Sequence, residues 1–424
     1  MGPSLRIGMI FTVDPLDQGA ISGMPYAAAR ALERRGLTVI PLESGNGLST
    51  GPSSAPTSGG IAGAKRKLKA LLKRRLPQRM LEWPSRWRSR GDGLVLREAK
   101  LAAERVQARI AMVRRERELD AIVGMCVSVP LAFLETDLPI VYASDATARI
   151  VLTTYPRYAR RSQAYRDECE ECERRALHRA SIVGLASEVA VRSAIEDYGI
   201  EPQRVGLLPL GSHVVPDAES LPQIVPPTRD DLKLLLVASD PERKRLGFSV
   251  DIVRELRRRG VKAELVHIGA PHRHLRAPCV RTLGALRLSH AADRLRHLAA
   301  IRESHLSLLP SIGEAFGIAP AESALAGRPA IVSDAGGLPT VVRDGQTGIV
   351  LSVCEPVSAW ADAMERLIDD PDRYRRMAIA ARERAWREFT WDAWAETVEG
   401  MARWAMAERR AAAAPVPLSR RNVG

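Results

Sequence analysis

A chain of 424 residues exceeds one ordinary α/β domain and suits two, and an apolar fraction of 46% is ample for two cores. The formal charge is +13, but eleven basic residues and one acidic residue fall between Lys65 and Arg90. Ten of the thirteen net charges therefore belong to one segment, which speaks against a broad nucleic-acid-binding face and for one local basic patch. No run of 18 or more apolar residues occurs, which speaks against a membrane-spanning helix, and five cysteines without a framework pattern point to a reducing, cytoplasmic setting.

Residues 5–13 predict a first buried strand and not a signal peptide, because the apolar run meets Asp14 at once. Met24 to Arg35 predicts a helix stopped at Gly36, and residues 37–42 predict a second strand. The loop between the first strand and that helix contains Gly19 and Gly23. Residues 44–63 are rich in glycine, serine and proline and read as a flexible loop. In the basic insertion that follows, at 64–90, Leu68, Leu71, Leu72 and Leu76 recur at helical spacing among lysines and arginines, with Trp83 and Trp87 beyond. Such a segment suits an anionic membrane surface, and equally a solvated helix packing its leucines on its own domain.

A charged helix from Arg97 to Glu118 leads to a strand at 120–127 and then to another that ends at Asp145. That carboxylate is placed at a sheet edge facing a cleft, or caps the helix that follows. Cys169 and Cys172 form a CxxC on an acidic helical stretch without a second pair, which gives no metal site. Pro209 and Gly211 mark a linker, and prolines at 216, 222, 226 and 227 support the break.

The second half opens with a strand at 231–240. Strands ending near Gly269 and before Gly284 follow, and His272 and His274 lack a third ligand. Asp370-Pro-Asp372 is formally a D-x-D, but it reads as an aspartate cap with proline opening a helix. Pro310 to Leu351 is the most informative stretch: two strand–loop–helix passages in succession, the first helix taken as 321–327 and stopped at Gly327. Each loop feeds a helix N-terminus, where free N–H groups and the positive end of the dipole face a ligand crevice. Glu314 lies in the first loop and Glu322 near the start of the helix. Two carboxylates suit a ligand with several hydroxyls, although a dipole-complementing glutamate and a solvated one fit the same spacing. Gly313 and Gly317 let backbone approach such a ligand closely.

The wording of that stretch is more specific than its spacing. E-A-F-G-I-A-P-A-E at 314–322, then A-L-A-G-R-P-A-I-V-S-D-A-G-G-L-P and D-G-Q-T-G, closely resembles the retaining, nucleotide-sugar-dependent glycosyltransferases of family 4, also called group 1. The resemblance implies the GT-B architecture: an α/β fold of two Rossmann-like, doubly wound domains facing across a cleft, with a C-terminal helix crossing back to the N-terminal domain. It divides the chain into an acceptor domain at 1–212, a nucleotide-sugar donor domain at 213–390, a returning helix at 391–412 and a disordered tail at 413–424.

The same resemblance distributes roles. Glu314, Lys244 and Asp145 are the catalytic candidates: Glu314 for donor-sugar hydroxyls, Lys244 for the diphosphate and Asp145 on the acceptor side. Glu322 is assigned to the ribose. The -S-G-M-P-Y- passage resembles the family's glycine loop between domains, which brings Gly23 to the donor diphosphate or the acceptor. Phe316, Gly317 and Ile318, with Gly336 and Gly337, make the two helix-start contacts, and Gly269 borders the nucleobase. Ala238 and Arg245 depart from the family's glycines around Lys244, so Arg243 or Arg245 assists, or the register moves by one residue. Thr340 stands where many relatives carry glutamate.

The implied activity is transfer of a sugar from a nucleoside diphosphate to a hydroxyl acceptor, glycan or lipid-linked, with retention of configuration. The implied setting is cell-envelope, polysaccharide or glycolipid biosynthesis. No metal and no cofactor beyond the donor are expected, nor nucleic acid. The expected location is cytoplasmic, with residues 65–90 on the inner membrane face. The alternatives are an epimerase-like activity on the same fold and a non-catalytic binding role.

Overall fold

The computed structural model describes residues 4–11, 23–43 and 93–413. The basic insertion at 64–90, Gly19, and residues 414–424 of the expected tail lie outside the described residues. Two six-stranded, all-parallel sheets organise the rest. The first sheet has the order β2-β1-β3-β4-β5-β6. Its strands are β1 (Arg6–Phe11), β2 (Thr38–Glu43), β3 (Ala121–Met125), β4 (Ile140–Ser144), β5 (Ile182–Leu185) and β6 (Val205–Leu207). Between them run α1 (Met24–Arg34), α2 (Leu94–Glu116), the short α3 (Ser128–Leu131), α4 (Ala148–Thr154), α5 (Pro156–Ala159), α6 (Gln163–Arg179) and α7 (Glu188–Glu196). β1 is buried along five of its six residues and β3 and β4 throughout, so they read as unbroken apolar runs, as parallel strands covered on both faces must.

The second sheet has the order β12-β11-β10-β7-β8-β9. It comprises β7 (Leu232–Ala238), β8 (Ala263–Gly269), β9 (Val280–Thr282), β10 (Leu306–Leu309), β11 (Ala330–Ser333) and β12 (Gly348–Leu351). The helices that flank it are α8 (Leu246–Arg258), α9 (Ala291–Glu303), α10 (Ile318–Leu325), α11 (Leu338–Val341), α12 (Val357–Asp369) and α13 (Pro371–Glu388). In both sheets the order reverses beside the first strand, which opens a crevice at the C-terminal strand ends.

The last helix, α14 (Trp391–Ala413), leaves the second domain and lies on the first, as expected for a returning helix. Trp391 and Trp394 are buried at its start, their rings 5.6 Å apart. Gly211 is the residue that lets the linker pass: a Cβ there would stand 2.4 Å from the Trp391 ring. On the outside Arg34 pairs with Asp392 at 2.6 Å and Arg35 with Glu399 at 2.9 Å, exposed pairs worth a few tenths of a kcal/mol each. The anchorage is the buried indoles.

Glu168 of α6 has an unusual task. α2 starts at Gly93, with φ +81 and no side chain to cap it. Glu168 accepts instead from the N–H groups of Gly93, Val95 and Leu96 at 2.7, 2.7 and 3.2 Å. A carboxylate from a neighbouring helix thus serves the orphan donors and complements the dipole.

Several elements are shifted from their predicted limits. The first strand is described as far as Phe11, and residues 12 and 13 lie outside the described residues; the helix that carries Glu322 runs over 318–325, three residues earlier than its composition suggests. Pro320 sits in its first turn, where a missing N–H costs nothing. Gly327, at φ +69, ends the passage. The expected second helix start after Gly337 is only the four-residue α11. Asp370 caps α13 by accepting from Arg373 N at 2.8 Å, as its DPD wording predicts.

Candidate active site

Four loops at the C-terminal strand ends build the crevice. After β7, the chain turns through Asp240 and Glu242 to Arg243 and Lys244, and Arg245 takes φ +50 to begin α8. After β10, the loop Ser311–Gly317 carries Glu314. These two loops meet: Arg243 Nη1 stands 2.7 Å from Glu314 Oε1 and donates to the Gly313 carbonyl at 2.6 Å. Lys244 Nζ lies 3.6 Å from the same carboxylate oxygen and donates to the Val237 carbonyl at 3.1 Å. Ser311 Oγ donates to Glu314 Oε1 at 3.0 Å. The three charged side chains are 9 to 12% exposed, so the attraction works in a partly desolvated place where it is stronger than in water.

The two arginines beside Lys244 point in different directions. Arg243 turns in. Arg245 turns out, its guanidinium 3.7 Å over the Phe248 ring and Nη1 donating to the Val353 carbonyl at 2.8 Å.

The glycines of the second passage are required by the loop itself. A Cβ on Gly336, at φ +58, would stand 2.0 Å from the Glu314 carbonyl oxygen, and one on Gly337 would stand 2.2 Å from that of Ala315. Gly337 N also donates to the Glu314 carbonyl at 2.9 Å. Gly336 and Gly337 thus press on the backbone that holds Glu314. Gly317, at φ +123, caps α10, and Ile318 is its first residue. The Phe316 ring does not line the crevice: it is buried edge-on against Phe389 at 5.8 Å. Gly269 has φ +154, and a Cβ there would strike the Ala238 carbonyl oxygen at 2.0 Å. Gly23 caps α1 at φ +79.

Glu322 differs from its sequence picture. It lies mid-helix and is 2% exposed, not at an open helix start. Its Oε1 accepts from the N–H groups of His213 and Val214 at 3.2 and 3.1 Å, in the segment that joins the domains. His297 Nε2 is 3.6 Å from Oε2. Burial pushes Glu322 up to about 7 and His297 down to about 4, so the imidazole is neutral near pH 7 and the contact is no ion pair.

On the facing domain, Asp145 follows β4 and is half-buried; the cap of α4 is Thr147, whose hydroxyl accepts from Ile150 N, and not Asp145. Burial raises the Asp145 pKa, and Cys126 Sγ lies 3.8 Å from its Oδ1. Among the described residues, Cys126 is one of two non-glycine residues with positive φ, at +53. Two residues escaped sequence reasoning. Tyr155, after α4, lies against Arg243. Ser311 fixes the Glu314 carboxylate. Their only written signals are Pro156, which forces an extended residue before it, and the SIGE spacing.

The domains meet beside the site. Glu188 N donates to Thr340 Oγ1 at 2.9 Å, and Arg343 pairs with the Glu188 carboxylate at 2.6 Å. Among the described residues no three His, Cys, Asp or Glu side chains come together to hold a metal ion, and no helix is long and apolar enough to cross a membrane.

Residues 231–370 match the family described as group 1 glycosyl transferases. The second domain is a group 1 glycosyl transferase domain. A D-inositol 3-phosphate glycosyltransferase of Xylanimonas cellulosilytica is 28% identical over 297 residues, 62% of this chain and 65% of the relative. One from Corynebacterium diphtheriae is 41% identical over 93 residues, 22% of this chain and 21% of the relative. The chain thus spans less than two thirds of the length of these relatives. Among solved structures, sucrose-phosphate synthase from Thermosynechococcus elongatus superposes with a TM-score of 0.66 at 16% identity, over 95% of this chain and all of that one. Anabaena HepE, in complex with UDP and glucose, superposes with a TM-score of 0.58 at 13% identity, over 94% and 100%. The transferase domain and the sheet beside it therefore have the GT-B fold.

Proposed function

We propose that the protein transfers a sugar from a nucleoside diphosphate to a hydroxyl acceptor, with retention of configuration and without a metal ion. The observation that carries this reading is the convergence of Arg243, Lys244 and Glu314 at the crevice of the transferase domain. A carboxylate flanked by two cations suits a ligand that joins a hydroxyl-rich ring to an anion. About two negative charges gather on the departing diphosphate. Lys244, Arg243 and the N-terminus of α10 at Gly317 are assigned to that charge, and fixed donors of this kind need no reorganisation as it develops. Glu314 accepts from sugar hydroxyls while Ser311 and Arg243 hold it still. Oε1 of Glu322 is committed to the linker, so Oε2 is the oxygen we assign to the ribose. Asp145, across the cleft, is assigned to the acceptor. Retention rests on the family 4 wording of residues 314–348. An acceptor presented at an anionic membrane is supported by the basic run at 65–90 alone.

The test is incubation with a panel of nucleotide sugars and hydroxyl acceptors, following nucleotide release and product configuration, with and without EDTA. We expect turnover with one nucleotide class, EDTA-resistant, and a product with the donor's anomeric configuration. Release with none of the panel would refute transfer. Inversion, or loss of activity restored by a divalent cation, would refute the mechanism.

A further inference from the structure

Thr154 and Tyr155 close α4 in the first domain, yet they touch the glutamate loop of the second. Pro156 disfavours the helical conformation for the residue before it, and Tyr155 accordingly takes φ −100 and ψ 115, which breaks α4 from α5. The break aims Tyr155 across the domain boundary. Its ring lies under the Arg243 guanidinium, 5.0 Å from centroid to carbon. Burial raises the Tyr155 pKa, and the nearby Glu314 carboxylate raises it further. Next to it, Thr154 fills the space a side chain on Gly313 would need: a Cβ there would stand 2.2 Å from Thr154 Cγ2. The loop that carries Glu314 is therefore braced by the acceptor-side domain at two successive residues.

We infer that Tyr155 is a positioning residue for the donor site: its ring fixes the Arg243 guanidinium against Glu314, while Thr154 beside it packs on the same loop at Gly313. This rests on the reading of Arg243 and Glu314 as donor contacts. The consequence is that the donor site is completed by both domains. Arg243 Nη1 serves Glu314 and the Gly313 carbonyl, while the guanidinium carbon stands over the Tyr155 ring. Without the ring, the guanidinium gains freedom to move away from Glu314 and the Gly313 carbonyl. The site then loses aim before it loses charge.

The chemistry separates ring from bulk. Tyr155→Phe keeps the aromatic face, whereas Tyr155→Leu keeps most of the buried apolar volume without a face or a hydroxyl. Tyr155→Met replaces the leucine variant should that fail to fold. Two readouts are taken on the full chain: kcat and KM for the nucleotide sugar, and amide exchange over Gly313–Gly317 without any ligand. We expect the phenylalanine variant to keep kcat within about threefold and the leucine variant to lose about 10- to 100-fold, the scale of a small misplacement in a reacting site. We also expect faster exchange at 313–317 in the leucine variant, with all melting temperatures alike. Wild-type exchange and kcat in the leucine variant would overturn the inference. A phenylalanine variant as impaired as the leucine one would overturn the role given to the ring. If the wild-type protein binds no nucleotide, the proposed function falls, and the exchange comparison still decides for or against Tyr155.

Discussion

Replacing Glu314 by glutamine removes one charge from the crevice and changes almost nothing else. The carboxylate stands 2.7 Å from Arg243 and 3.6 Å from Lys244, with all three side chains at most 12% exposed. At an effective dielectric of about 20 these attractions come to roughly 6 and 5 kcal/mol, before the cost of taking the charges out of water. That cost offsets most of the gain, and removing one partner of such a set leaves a net loss of about 3–5 kcal/mol. The amide still accepts from Ser311, while Arg243 keeps the Gly313 carbonyl and Lys244 keeps that of Val237. This places the loss at the lower end, about 3 kcal/mol, or roughly 6–12 °C in melting temperature for a domain of this size. Calorimetry on Glu314→Gln, Arg243→Met and the double variant measures it. The double variant should lose less than the sum, because the second change removes an already stranded partner. Additive losses, or a Glu314→Gln melt within about 1 °C of wild type, would show that the cluster is not energetically coupled.

Lys244→Met should cut kcat by about 10²–10³, since it removes one fixed charge from the leaving group; near-wild-type turnover would dismiss its role. Glu173 is buried, pushed up to about 7 from 4.5 mainly by burial, with Tyr142 Oη 3.3 Å from both carboxylate oxygens. The folded state therefore holds a proton that the unfolded state has lost, and this stability is complete below the ordinary carboxylate range and vanishes as pH rises through about 7. Glu173→Gln should melt like wild type at about pH 5 and higher at about pH 8, by roughly 3 kcal/mol at most; equal pH profiles would contradict it. Gly336→Ala must push a Cβ into the Glu314 carbonyl, so urea unfolding should show a loss above about 3 kcal/mol. Gly345→Ala, also left-handed at φ +70 but with nothing within 4 Å, should cost only about 1 kcal/mol. Equal losses would mean that strain, and not the clash, governs both.

The strands were legible because burial on both faces writes continuous apolar runs, whereas the returning helix came only from the family resemblance; that Trp391 and Trp394 anchor it shows only in the structure. Arg243, Lys244 and Glu314 were legible as types at strand ends, but not their mutual distances, since two loops 70 residues apart in sequence decide them. Glu322 misled for a physical reason. Starting the helix at Ala321 puts it in an exposed first turn, whereas Pro320 is itself a first-turn residue and moves the start back to Ile318. Nothing local announces that its carboxylate will find the N–H groups of His213 and Val214 about 108 residues upstream. Tyr155 was missed because a single tyrosine before proline has no periodicity to betray it.

Thr340 shows how a departure from a family's wording can be coherent. A glutamate there would bring its charge to the start of α7, where Glu188 already places a carboxylate. Instead the Thr340 hydroxyl, buried to 2% exposure, accepts the Glu188 N–H, and Arg343 neutralises the Glu188 side chain. Arg384 adds two donors beneath, to the Thr340 and Val341 carbonyls at 2.6 and 2.9 Å, which satisfies the C-terminal groups of the short α11. The three residues make one contact: threonine serves the helix dipole end, arginine the charge, and glutamate both. Thr340 and Arg343 therefore tie the two domains together at Glu188. Under the proposed function, the negative charge of a departing diphosphate is left to Lys244, Arg243 and the α10 N-terminus. With the domains joined at Thr340 and the glutamate loop braced at Tyr155, the proposed donor site draws on both domains, so loosening either contact should disturb that site before it disturbs either core.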